Sequence, residues 1–78
     1  MSATTNLYAA QKNDILEITS VPKIDLLENI GLRSGTRLFI QNRYACGGPL
    51  LLRVEEAYNV ALGKDIAIQI GVEHAGVS

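Results

Sequence analysis

The chain has 78 residues, 47% of them hydrophobic, and a formal charge of −1 from seven Lys and Arg against eight Asp and Glu. That length sustains a single core and a single domain, and the near-balance of charge leaves no strong field to gather nucleic acid or an acidic membrane. Cys46 is the only cysteine, which excludes an internal disulfide and suits a reducing compartment; the first residues lack a secretory-signal pattern and no run of 18 apolar residues occurs, so a soluble, cytoplasmic protein is expected.

Met1 to Asn6 is small and polar, the composition of a flexible N-terminus. Leu7-Tyr8-Ala9-Ala10 forms an apolar lead-in to a turn at Lys12-Asn13-Asp14, where Asn13 suits a left-handed backbone. Asp14 to Val21 alternates, with Leu16 and Ile18 on one side and Glu17 and Thr19 on the other, and reads as the first strand. Pro22 ends it.

From Lys23 the period lengthens. Ile24, Leu27 and Ile30 recur every three residues, predicting a helix of about two turns with Pro22 in its first turn, where a missing N–H costs nothing. Gly31-Leu32 then carries the pattern of a Schellman stop, with Gly31 left-handed and Leu32 folding back onto Leu27. A helix this short is not stable alone, so it must cap a core.

Arg33-Ser34-Gly35 is a turn. Thr36 to Arg43 alternates again, with Leu38 and Ile40 facing one way and Arg37, Phe39, Gln41 and Arg43 the other. Tyr44 to Pro49 is a loop in which Gly47 and Gly48 free the backbone and Pro49 opens the next strand. Leu50 to Glu55 is the third strand, with Leu52 and Val54 inward and Arg53 outward; Glu56-Ala57 reverses the chain into Tyr58 to Leu62. After a break at Gly63-Lys64-Asp65, the alternation of Ile66, Ile68, Ile70 and Val72 with Ala67, Gln69 and Gly71 predicts the closing strand. Residues 74–78 form a tail. Five short strands with one short helix inserted after the first cannot bury their apolar faces as an open sheet, so the expected fold is mainly β, a small closed barrel over residues 7–73.

The residues offer little for catalysis. A structural zinc site needs about four Cys or His ligands and a catalytic one three protein ligands, whereas Cys46 and His74 are the only residues of these types. A lone His in a tail is badly placed to activate a nucleophile. Gly47-Gly48-Pro49 precedes a strand and so lacks the helix N-terminus of a phosphate loop. Glu55 and Glu56 project to opposite faces of a strand unless the turn bends there. No cofactor and no enzymatic activity are expected. The outward set Arg37, Phe39, Gln41 and Arg43, with Tyr44 and Arg53 nearby, remains: Arg and aromatic side chains together anchor protein partners and also stack single-stranded nucleic acid. The balanced net charge argues against the latter.

The run Asp25-Leu26-Leu27-Glu28-Asn29-Ile30-Gly31-Leu32-Arg33-Ser34-Gly35-Thr36 resembles the leucine-rich helix and following Gly-Leu turn of the FeoA family. Leu38 and Ile40, Gly47-Gly48-Pro49, Val60-Ala61-Leu62-Gly63 and Ala67-Ile68-Gln69-Ile70-Gly71-Val72 resemble, in order, its later strands and its glycine-proline loop. Two features depart from the family pattern: the helix carries Lys23, Asp25 and Glu28 where members often have arginines, and Asn13 stands where they often have a glycine. The resemblance implies an SH3-like barrel without cofactor, cytosolic and accessory to ferrous iron uptake, whose partner is an FeoB-type membrane transporter. Its candidate contact residues are Arg37, Phe39, Arg43, Tyr44, Gly47, Gly48 and Pro49. A small nucleic-acid-binding barrel and a metal-responsive regulatory module are the alternatives.

Overall fold

The computed structural model describes residues 5–75. Six strands form one antiparallel sheet: β1 (Thr5–Asn6), β2 (Ile15–Ser20), β3 (Arg37–Arg43), β4 (Leu50–Val54), β5 (Tyr58–Leu62) and β6 (Gly71–His74), in the spatial order β1-β6-β2-β3-β4-β5. A 3₁₀ turn, Leu7–Ala9, follows β1, and two short helices, α1 (Asp25–Asn29) and α2 (Lys64–Ala67), follow β2 and β5. The core is the alternate set of strand residues the pattern predicts: Leu16 and Ile18, Leu38 and Ile40, Leu52 and Val54 are all fully buried, joined by Leu7, Leu50, Ile70 and Val72. Each such side chain contributes about 1.5–3 kcal/mol on leaving water.

The helix stop forms as its sequence specifies. Gly31 has φ +83°, the Leu32 N–H donates to the Leu27 carbonyl at 2.9 Å and the Gly31 N–H to Glu28 at 3.1 Å, the paired bonds of a Schellman motif. Leu27 and Leu32 close it as a buried contact. The helix itself begins later than expected: Ile24 is its N-cap, and Pro22 lies outside it, its carbonyl accepting the Ile24 N–H. Asn13 has φ +75°, so it adopts the backbone conformation for which a glycine would otherwise be used.

The last part of the chain differs from the sequence reading. Lys64 and Asp65, read as part of a break, and Ile66 and Ala67, read as the start of the closing strand, together form α2, capped by Gly63. Ala67 and Ile70 are buried while Ile68 is exposed, the i, i+3 spacing of a helical turn rather than the i, i+2 spacing of a strand. The closing strand therefore starts at Gly71, and His74, read as part of the tail, ends β6 opposite Leu16. At the other end Thr5 and Asn6, read as part of a flexible terminus, pair with Val72 and Gly71; the rest of that segment, Met1 to Thr4, lies outside the described residues. These two residues add a sixth strand to the five expected.

Candidate partner-binding surface

The outer face of the sheet carries a row of side chains set by strand register. Ile15 lies opposite Phe39, Phe39 opposite Arg53, and Arg53 opposite Asn59. Alternation places all of them away from the core, because their neighbours Leu16, Leu38, Leu52 and Tyr58 point the other way. One row further along, Arg37 lies opposite Glu17. The resulting open groove, about 590 Å³, is lined by Ile15, Phe39, Arg37, Arg53, Glu55 and Glu56 among others.

Its rim is fixed by the β4–β5 turn. Glu55 and Glu56 both have positive φ, +52° and +58°, so the chain bends there and the two carboxylates are not split across a strand. The Glu55 carboxylate accepts from the Arg37 amide at 2.8 Å, and its own N–H donates to the Arg37 carbonyl at 3.0 Å. Arg53 is held by its Nη1, which donates to Asn59 Oδ1 at 3.3 Å, and its Nη2, which donates to the Glu56 carbonyl at 3.1 Å. Arg37 uses only its backbone in this bracket, leaving its guanidinium at the exposed edge of an apolar floor.

Arg43 does not join this face. The β3–β4 register slips between Ile40 and Asn42, so Asn42 pairs with Leu51 and Arg43 with the buried Leu50. A one-residue bulge reverses the facing of every residue beyond it, and Arg43 turns to the opposite end of the molecule. There its Nη1 donates to the Ala10 carbonyl at 2.8 Å and its guanidinium lies 5.2 Å from the centre of the Tyr8 ring. Tyr8 in turn donates to the Gly48 carbonyl at 3.0 Å, and Lys64 Nζ lies 5.7 Å from its ring. Arg43 thereby ties the 3₁₀ turn to β3.

The loop residues of the candidate set sit at this second place. Gly47 has φ +75° and Cys46 +61°, and a Cβ on Gly48 would fall 2.9 Å from that of Tyr44, so the loop is tightly folded. The Tyr44 N–H donates to the Pro49 carbonyl at 3.2 Å, and the Tyr44 side chain is exposed. The structure thus divides the candidates into Arg37 with Phe39 on one surface and Arg43, Tyr44, Gly47, Gly48 and Pro49 around another. Ile15 and Tyr8 were missed. Ile15 carried a signal, an apolar residue on the polar side of the first alternating strand; Tyr8 carried none, since its partners are 35 or more positions away and reach it through a loop and a bulge.

His74 Nε2 lies 3.4 Å from Asp14 Oδ2, and Cys46 is exposed. Among the described residues no three His, Cys, Asp or Glu side chains gather as a metal site, and no helix is long and apolar enough to cross a membrane.

The chain is thus a small antiparallel β domain whose outer face carries a groove with Ile15 and Phe39 beside Arg37, Arg53, Glu55 and Glu56. Residues 5–74 match the FeoA domain family, and the chain belongs to it. No curated protein sequence matches the chain. Among solved structures, it is similar to an FeoA-like protein from Clostridium acetobutylicum, at 23% identity and a TM-score of 0.82 over 100% of this chain and 94% of that one. An iron uptake regulatory protein (FeoA) matches at 19% identity and 0.81, covering 91% and 96%. A manganese-dependent transcriptional repressor matches at 20% identity and 0.83, covering 95% of this chain and 43% of its own length; the chain spans less than half of that protein. The fold is the mainly β, SH3-like one expected of the family, which is linked to iron uptake.

Proposed function

We propose that the protein is a cytosolic, non-enzymatic accessory protein of ferrous iron uptake that acts by binding the cytosolic part of an FeoB-type transporter. The observation that carries this reading is the outer-face groove: Ile15 and Phe39 form an apolar floor, and beside it stands Arg37, whose guanidinium makes no hydrogen bond or ion pair among the described residues. Aromatic and arginine side chains are prominent among the few residues that supply most of the energy at protein interfaces. The second surface, Tyr44 with the Gly47–Pro49 loop, is a candidate for a secondary contact, while Arg43 there contributes by bracing Tyr8.

The test is calorimetric titration of the chain with the transporter's cytosolic domain. Binding at tens of micromolar or tighter is expected, weakened about tenfold or more by Phe39→Ala and by Arg37→Ala, in keeping with the 1–2 kcal/mol or more that interface anchors supply. Absence of binding by the unaltered chain in that range refutes direct recognition, and binding indifferent to both substitutions moves it away from the groove.

A further inference from the structure

Two cations from different elements converge on one tyrosine. The Arg43 guanidinium lies 5.2 Å and Lys64 Nζ 5.7 Å from the centre of the Tyr8 ring, so the two charges are no further apart than the sum of those distances. Arg43 ends β3, Lys64 opens α2, and both residues are exposed. Each cation gains from the ring, but like charges drawn together repel, and an anion beside both would relieve that repulsion. The chain supplies none. Among the described residues no carboxylate, that of Asp65 next to Lys64 in the chain included, lies within ion-pair distance of either cation; the ion pair that forms joins His74 to Asp14. Arg43 spends one donor, Nη1, on the Ala10 carbonyl, and the Lys64 ammonium makes no hydrogen bond among the described residues.

We propose that this end of the domain binds an acidic segment of a partner protein, whose carboxylates seat on Arg43 and Lys64 beside the exposed Tyr44. Charge complementarity names the occupant: two uncompensated cations on one ring call for carboxylates. Phosphate chains fit less well, because the chain as a whole carries −1 and a pair of cations falls short of the many phosphate contacts that hold nucleic acid, whereas arginine and tyrosine are side chains on which protein interfaces concentrate their energy. The surface is also fixed in advance. The Tyr8 hydroxyl donates to the Gly48 carbonyl at 3.0 Å and Arg43 to Ala10 at 2.8 Å, and Gly48 packs so closely on Tyr44 that a Cβ on it would fall 2.9 Å from the Tyr44 Cβ. Little ordering therefore remains to oppose association.

A hexaglutamate peptide, titrated at low ionic strength into the isotope-labelled full chain and followed by amide chemical shifts, tests this. Saturable shifts centred on Tyr8, Arg43, Tyr44 and Lys64 are expected, fading as salt is added. Lys64→Gln should weaken binding about threefold, the worth of one exposed charge contact; Lys64→Glu should abolish it and Lys64→Arg should keep it, with the amide spectrum of each variant showing that the fold is retained. Phe39→Ala and Arg37→Ala should leave it unchanged, so this surface stands or falls apart from the groove. Absence of saturable shifts, shifts centred on another surface, or binding indifferent to Lys64→Glu overturns the proposal. A preference for oligothymidylate of equal charge also overturns it, by assigning the site to phosphates.

Discussion

The Tyr58 hydroxyl donates to the Ile30 carbonyl, and a Cβ placed on Gly31 would fall 2.7 Å from that same hydroxyl oxygen. One aromatic side chain therefore ties β5 to the end of α1 and occupies the space that a larger residue at position 31 would need.

Gly31→Ala is expected to cost more than the 1–2 kcal/mol or so typical of a left-handed non-glycine residue, because the steric conflict adds to the strain at φ +83°. Tyr58→Phe should cost about 1 kcal/mol for the lost hydrogen bond. In the Tyr58→Phe background the alanine meets no hydroxyl, so its cost should fall back to the backbone strain alone. A urea-denaturation double-mutant cycle measures that coupling; strict additivity of the two changes would refute the steric contribution.

The helical reading of residues 64–70 separates two isoleucines that the strand reading treats alike. Ile70 is fully buried and Ile68 is 47% exposed. Ile70→Ala should destabilise the domain by about 2–5 kcal/mol, whereas Ile68→Lys should stay within about 0.5 kcal/mol of the unaltered chain. Thermal melts of the two variants distinguish them directly.

The Thr19 hydroxyl is buried without a hydrogen-bond partner among the described residues. An unsatisfied buried polar group costs about 1–3 kcal/mol, and valine has nearly the same shape with a methyl in place of the hydroxyl. Thr19→Val is accordingly expected to raise stability, by about 1 kcal/mol, visible as a higher urea midpoint at unchanged slope.

Arg43 and Arg37 should part company in the same assay. Arg43→Ala removes a bond to the Ala10 carbonyl and a cation–π contact with Tyr8, together worth about 1–2 kcal/mol, and Arg43→Lys should recover only part because a point charge cannot reproduce the planar fork. Arg37→Ala keeps both backbone bonds to Glu55 and should leave stability within about 0.5 kcal/mol. A change in partner binding on removing Arg37 then reports on the surface itself.

Much of this was legible in the chain. Leu16 and Ile18, Leu38 and Ile40, Leu52 and Val54 alternate cleanly because one face of their strands is buried, and Gly31-Leu32 fixes the helix stop through a backbone conformation few residues accept. The Ile66–Val72 run misled because isoleucines two apart also satisfy the four-residue spacing of a single helical turn: Ile66 and Ile70 share its buried side, and periodicity over so short a stretch does not separate the two. Arg43 misled for another reason. Strict alternation from Arg37 carries it to the outer face, but the bulge at Gln41 inverts the parity, and no glycine or proline marks that bulge. Thr5 and Asn6 carry no apolar pattern because they complete an edge and hardly touch the core.

The position of β6 has a kinetic consequence. It lies between β1 and β2, so the segment of the domain made last on the ribosome separates the two strands made first. Those N-terminal strands find no partner in each other, and the loop that brings His74 to Leu16 spans most of the chain. Pairings so distant in sequence are slow to form, and the hairpins β3–β4 and β4–β5, whose partners are near neighbours, should be in place before the ends of the domain are drawn together. The nascent domain then waits on its final strand, and shortening the chain at Gly71 should leave β1 adrift and β2 held from one side alone, by β3.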